Sequence, residues 1–187
     1  PRAVASLAVL IGSSESVQPV ASLDELVELI DLGKLSRAPA TFDPAELEHL
    51  NHHLVRDMPY GAAADRLESL GIGGGAAFWL AVRPNLNKLP DALEWWHRIE
   101  GPVNAGIASE DRDFLASAAG LLPPEPWTEE TYVPWIADLK AETGRSGKAL
   151  FKPLRMALTG VDHGPDLKAM LPLIGREKAT LRLTGKE

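Results

Sequence analysis

Sixteen glycines and fifteen prolines divide this chain of 187 residues into short pieces. Within those pieces the apolar residues recur at helical rather than strand spacing. Glycine ends helices by taking a left-handed backbone at little steric cost, and proline opens or stops them because it has no N–H to donate. No run alternates apolar and polar residues with period two over the length of a strand. The chain is therefore expected to be all-α, built as bundles of short helices joined by Gly/Pro turns.

Individual starts and stops follow from local chemistry. Ala3 to Ile11 reads as a short apolar helix stopped by Gly12. Ser22-Leu-Asp-Glu25 has the form of a capping box, in which the hydroxyl and the glutamate satisfy free amides at the helix start. Asp43-Pro44-Ala45-Glu46 joins a capping Asp to a proline whose missing N–H costs nothing there, and Leu47, Leu50 and Leu54 then form one stripe. Further short helices are expected from Asp65 to Leu70, from Ala76 to Val82 before Arg83-Pro84, and around Leu93, Trp96 and Ile99. Ser109 opens another that finishes at Gly120, and Trp127-Thr128 caps the next. Pro153 sits inside a helical run and is expected to bend or split it. Gly160 is the expected left-handed stop, Pro165 opens a short helix, and Gly175 precedes a last one.

Charge divides the chain unevenly. From Lys140 onward ten Lys/Arg stand against five Asp/Glu, a local +5, whereas the whole chain carries −7 and residues 1–139 therefore −12. Such a split suggests an anionic partner for one end, and nucleic-acid phosphate is the commonest. From charge alone, a solvated helix face stands equal to it. There is no cysteine, which excludes disulfides, thiolate metal sites and thiol nucleophiles. The apolar runs are too short to cross a bilayer, and no signal peptide is recognisable. A cytoplasmic location is expected. The first residue is Pro1 rather than Met, in mid-helix pattern, as expected of a piece of a longer protein.

Candidate catalytic groups are sparse. Gly71-Ile-Gly-Gly-Gly75 follows no expected strand and contains no Lys-Ser/Thr, so it reads as a flexible joint rather than a phosphate cradle. His49 and His53 stand four apart beside Glu46 and His52, a spacing that suits a divalent ion, yet Leu50 follows the first His and no third ligand is evident. No metal and no catalytic residue are expected. The five tryptophans fall at helical spacing among Leu and Ile, which favours core packing over base stacking. Arg155 stands out: placed after the Pro153 break, it should project from the start of a new helix at a concave junction, offering a planar fork to a base edge or phosphate. A salt bridge to Asp162 or Asp166 is the alternative.

Two motif sets resemble a known family. Leu150-Phe-Lys-Pro-Leu-Arg-Met-Ala-Leu-Thr-Gly160, with His163-Gly-Pro165 and Leu173-Ile-Gly-Arg-Glu-Lys-Ala179, resembles the C-terminal anticodon-binding region of bacterial glutamyl-tRNA synthetases. Upstream, Ser22-Leu-Asp-Glu25, Phe42-Asp-Pro44 and Leu50-Asn-His-His53 resemble the segment of the same family that follows its KMSKS-type loop and contacts the inner side of the tRNA. The two matches stand in the family's order and frame nearly the whole chain, PLRxALTG being the most specific.

The resemblance implies a stem-contact segment followed by two helical anticodon-binding subdomains, divided here as residues 1–100 and 101–187. It implies that Arg155 reads the first anticodon base, with Lys152 and Leu154 close to the second, and that Gly164, Pro165 and Leu167 pack against splayed bases. Arg145 and Lys148 would hold phosphate. The family's other reader is an Arg just after an Arg-Pro. In Arg83-Pro84-Asn85-Leu86 that position is Asn85, so strict discrimination between tRNA(Glu) and tRNA(Gln) is not implied. ATP and Mg²⁺ would serve the full-length ligase through motifs that this sequence does not contain, and no cofactor is expected here. tRNA(Glu) is the implied partner, with tRNA(Gln) open and neither DNA nor membrane expected. A helical protein-interaction scaffold and a helix-turn-helix DNA binder are the alternatives.

Overall fold

The computed structural model describes residues 2–11, 13, 17–20, 22–35, 41–104 and 106–186. Among them the chain forms eleven α-helices and no β-strand, with one isolated antiparallel bridge between Ser13 and Leu35. The first three helices are α1 (Arg2–Leu10), α2 (Leu23–Glu28) and α3 (Pro44–Arg56). Four follow in the middle: α4 (Tyr60–Ser69), α5 (Gly75–Val82), α6 (Ala92–Glu100) and α7 (Arg112–Gly120). The last four are α8 (Tyr132–Thr143), α9 (Lys148–Thr159), α10 (Leu167–Ile174) and α11 (Arg176–Thr184). The expected stop at Gly12 lies outside the described residues, and α1 begins at Arg2, one residue ahead of the expected Ala3.

Local capping sets several of these boundaries. The Ser22 hydroxyl accepts from the Glu25 amide at 3.1 Å, and the Asp43 carboxylate accepts from the Ala45 amide at 2.9 Å with Pro44 in the first turn. Asp166 does the same for α10, accepting from the Lys168 amide at 2.9 Å. Gly160 closes α9 at φ +76°, a conformation that costs a side-chain-bearing residue energy.

Of the bend or split expected at Pro153, the split does not occur: α9 runs unbroken from Lys148 to Thr159. The proline removes the amide that would have donated to the Ala149 carbonyl, and that carbonyl accepts instead from Arg145 Nη1 at 3.3 Å. The middle of the glycine run 71–75 is packed: a Cβ on Gly73 would lie 2.8 Å from the Trp96 ring and one on Gly74 3.0 Å from it, so these two positions exclude side chains. Its neighbour α4 also begins earlier than expected, at Tyr60.

Packing divides the molecule unevenly. One continuous core runs from Val55 to Leu183 and draws on every helix from α4 to α11, with Trp79, Trp135, Leu154 and Leu158 fully enclosed. The halves 1–100 and 101–187 share this core. The first fifty or so residues instead build two small clusters, Ala3 and Leu7 with Leu50, and Leu10 with Val20 and Leu26.

Cations tie the large core together at helix ends, where the final carbonyls lack intrahelical partners and the dipole favours positive charge. Arg182, only 2% exposed, donates to the carbonyls of Leu158 (2.8 Å), Ile99 (3.1 Å) and Gly101 (2.8 Å). Lys178 reaches the Ile99 carbonyl and pairs with Glu100 at 3.0 Å. Arg98 donates to the Thr159 carbonyl at 3.0 Å while pairing with Glu94. The ends of α6 and α9 are thus fastened to each other and to α11.

Candidate nucleic-acid interface

The interface is built from the basic helix α9, the loop that leaves it, and the α5–α6 connection. On α9 the apolar positions Leu150, Leu154, Ala157 and Leu158 turn into the core, which leaves Lys148 and Lys152, one helical turn apart, exposed. Arg155 lies in the middle of α9, not at the start of a new helix, and is half-buried. It makes no salt bridge to Asp162 or Asp166. Its Nη1 donates to the carbonyls of Pro165 (2.8 Å) and His163 (3.3 Å), pinning the loop 160–165 onto the helix.

The loop has a second support. Gly164 adopts φ +110°, and a Cβ there would fall 2.1 Å from the Trp95 ring, so the α6 indole lies directly on its backbone. Arg155 from below and Trp95 from the side fix where His163 projects. The His163 ring sits 3.1 Å from the Asp162 carboxylate, and this bond holds the Asp162 carboxyl below the usual carboxylate range, aided by the charges of His163 and Lys152. Beneath the loop, burial pushes the Tyr132 hydroxyl up to about 12, with the Asp166 charge adding to the rise and Arg155 opposing it.

Asn85 arrives from far away in sequence. The Arg83–Asn85 turn, a single 3-10 turn, follows α5, and Arg83 fixes it by donating to the Met58 carbonyl at 2.6 Å. Helix α3 braces the residues beyond: Asn51 donates to the Asn87 carbonyl, and the His52 ring lies 2.9 Å from the Leu86 carbonyl. Asn85 is exposed, and with Asn87, Trp95, His163 and Gly164 it lines one cleft of about 390 Å³. The α5–α6 connection and the loop after α9 therefore face each other across a common opening.

The other expected site residues divide into two groups. Lys148 and Lys152 are open to solvent and lack ion pairs and hydrogen bonds among the described residues. Leu154, Pro165 and Leu167 are buried beneath the interface. Arg145 is partly buried and tied within the chain. It pairs with Asp111 at 2.5 Å, donates to the Glu110 carbonyl and lies 4.4 Å over the Phe114 ring. Trp95 and His163 are the site residues that sequence reasoning missed. Trp95 showed only as a core position, and His163 only as part of the motif His163-Gly-Pro165, with no role of its own.

Among the described residues no group of three His, Cys, Asp or Glu side chains could hold a metal ion, and the glycine run 71–75 is packed against Trp96. No helix among them is long and apolar enough to cross a membrane.

Comparison with known proteins gives the site its context. The family description "Anticodon binding domain" matches residues 101–185. Over its whole length the chain is 56% identical to glutamate--tRNA ligase 2 of Methylorubrum populi, and it is 53% identical over 98% of its length to glutamate--tRNA ligase 2 of Xanthobacter autotrophicus. The chain spans 41% and 40% of those two proteins. In structure it is similar to a glutamate tRNA ligase from Elizabethkingia meningosepticum, with a TM-score of 0.82 and 18% identity over all of this chain and 40% of that one, which establishes a shared fold. Fold and match together define a helical anticodon-binding domain. The chain belongs to the glutamyl-tRNA synthetase family and forms its C-terminal anticodon-binding region. The scaffold and helix-turn-helix alternatives are not favoured by these matches.

Proposed function

We propose that this region grips the anticodon loop of tRNA(Glu), and with Asn85 in place of an arginine admits tRNA(Gln), as part of a ligase that joins glutamate to tRNA. The observation that carries the reading is the shared cleft, which sets Asn85 opposite His163 and Gly164 although the two segments are distant in sequence. Anticodon bases are unstacked and single-stranded, so their edges are open to side chains in such a cleft. Asn85 can donate to and accept from a base edge but lacks the charge and fork of arginine. Arg155 uses one nitrogen to shape the loop, and its remaining N–H groups are the donors that read the first anticodon base. Lys148 and Lys152 supply the phosphate contacts, and the acidic remainder repels mispositioned backbone.

On this reading ATP and Mg²⁺ act at a nucleotide-binding domain outside this chain, DNA is not a partner, and the protein works in the cytoplasm. The test is filter binding of tRNA(Glu), tRNA(Gln) and duplex DNA across a salt series. Both tRNAs should bind more tightly than the duplex and weaken as salt rises. Affinity insensitive to salt, or a preference for the duplex, would overturn the reading.

A further inference from the structure

A second groove lies on the other side of the loop 160–165. It encloses about 1100 Å³ between α9 and the segment 106–111, large enough for a nucleoside, since ligand pockets commonly run about 300–1,000 Å³. Its walls are apolar where Ile107, Leu115, Pro153 and Met156 meet. Lys148 and Lys152 stand on the α9 side and Glu110 on the facing segment, with Asp162 in the loop after α9 and under the influence of the Lys152 charge.

The two lysines differ from the arginines of the same basic tail. Arg145, Arg155, Arg176 and Arg182 all bind carbonyls or carboxylates of this chain. Lys148 and Lys152 make no ion pair or hydrogen bond among the described residues, so their ammonium groups are available to an outside anion. Val161 borders both this groove and the cleft that holds Asn85. The two openings are therefore neighbours, with Val161 between them.

We propose that this groove receives one further unstacked nucleotide of the same RNA strand, adjacent to the anticodon bases. Its base lies against Met156 and Ile107, its phosphate on Lys148 and Lys152, and its exocyclic amino edge toward Asp162 and Glu110. Charge sets that orientation: phosphate is attracted to the lysine rim and repelled by the acids, whereas an amino group donates to a carboxylate. An apolar wall beside a phosphate-binding rim is the arrangement that holds single-stranded bases elsewhere. The inference rests on the anticodon-binding reading but adds a subsite to it.

The experiment uses the 187-residue chain and a synthetic hairpin carrying the tRNA(Glu) anticodon stem and loop, with each loop nucleotide made abasic in turn. Ala149→Trp fills the groove from α9 without altering charge, and Ala108→Trp fills it from the opposite wall should the first variant unfold. Either is expected to weaken the intact hairpin about tenfold, and to weaken no further the hairpin that lacks the docking base. Wild-type binding by the filled variants, alongside loss in Arg155→Ala, would overturn the subsite and leave the anticodon reading standing. A loss that no abasic substitution relieves would also overturn the subsite. Failure of the unaltered chain to bind the hairpin would overturn both.

Discussion

Arg155 donates to the carbonyl of Pro165, ten residues ahead of it, at 2.8 Å, and so shapes the loop that follows its own helix. Replacing it with alanine removes both the loop restraint and the guanidinium. Arg155→Ala is expected to weaken tRNA binding by about 1–3 kcal/mol. Arg155→Lys should not restore it, because an ammonium cannot bridge two carbonyls and a base edge as a planar fork does. Filter binding of the two variants decides this; lysine rescue would show that charge alone is what matters at this position.

Gly164 and Trp95 form the loop's other restraint. Gly164→Ala places a Cβ within the indole and strains a backbone at φ +110°, at an expected cost of about 1–3 kcal/mol. In a Trp95→Leu background the same change should cost less, since part of the clash is gone. Thermal unfolding of the four proteins in this cycle gives the coupling. Additive effects would mean that the ring does not hold the loop.

Asn85 offers a gain-of-function test. Asn85→Arg should favour C over other bases at the third anticodon position, because a guanidinium at that rim regains the charge and paired donors that asparagine lacks. Binding of tRNA variants differing only at that base provides the comparison. An unchanged preference would exclude position 85 from base reading.

Arg182 is expected to matter for stability alone. Arg182→Met leaves the carbonyls of Leu158, Ile99 and Gly101 without this donor inside the core, a loss of roughly 3 kcal/mol or more. Denaturant unfolding should show a lower midpoint with an unchanged slope.

Tyr132 supplies a pH test. Its folded-state value of about 12 stands above the ordinary 10.0, so folding favours the neutral phenol. The associated stability is complete below pH 10 and is lost as the pH rises from 10 through about 12. Tyr132→Phe should flatten that part of the stability curve, measured by denaturant midpoints across the alkaline range. Solvent around the half-buried ring will make the effect smaller than the shift alone suggests.

Helix ends were legible because their chemistry is local. Ser22, Asp43 and Gly160 each act within a few residues, and each does what its type and spacing imply. Asn85 and Gly164, both named through the resemblance, line one cleft. The charge count was less informative. It treated all the basic residues of the tail alike, whereas Arg145, Arg155 and Arg182 satisfy carbonyls whose need for donors arises only once helices have packed. PLRxALTG likewise marks Leu154 without revealing that its side chain faces inward. The Trp95–Gly164 contact joins positions far apart in sequence, and no local pattern encodes it.

The continuous core that passes beneath residue 100 has a practical consequence for transplantation. Chimeras among relatives that join one parent's residues up to 100 to another's from 101 would separate Arg98 from the Thr159 carbonyl and Arg182 from that of Ile99. A junction just ahead of α3, at Asp43, would carry Asn51 and His52 across together with the Leu86–Asn87 carbonyls that they brace.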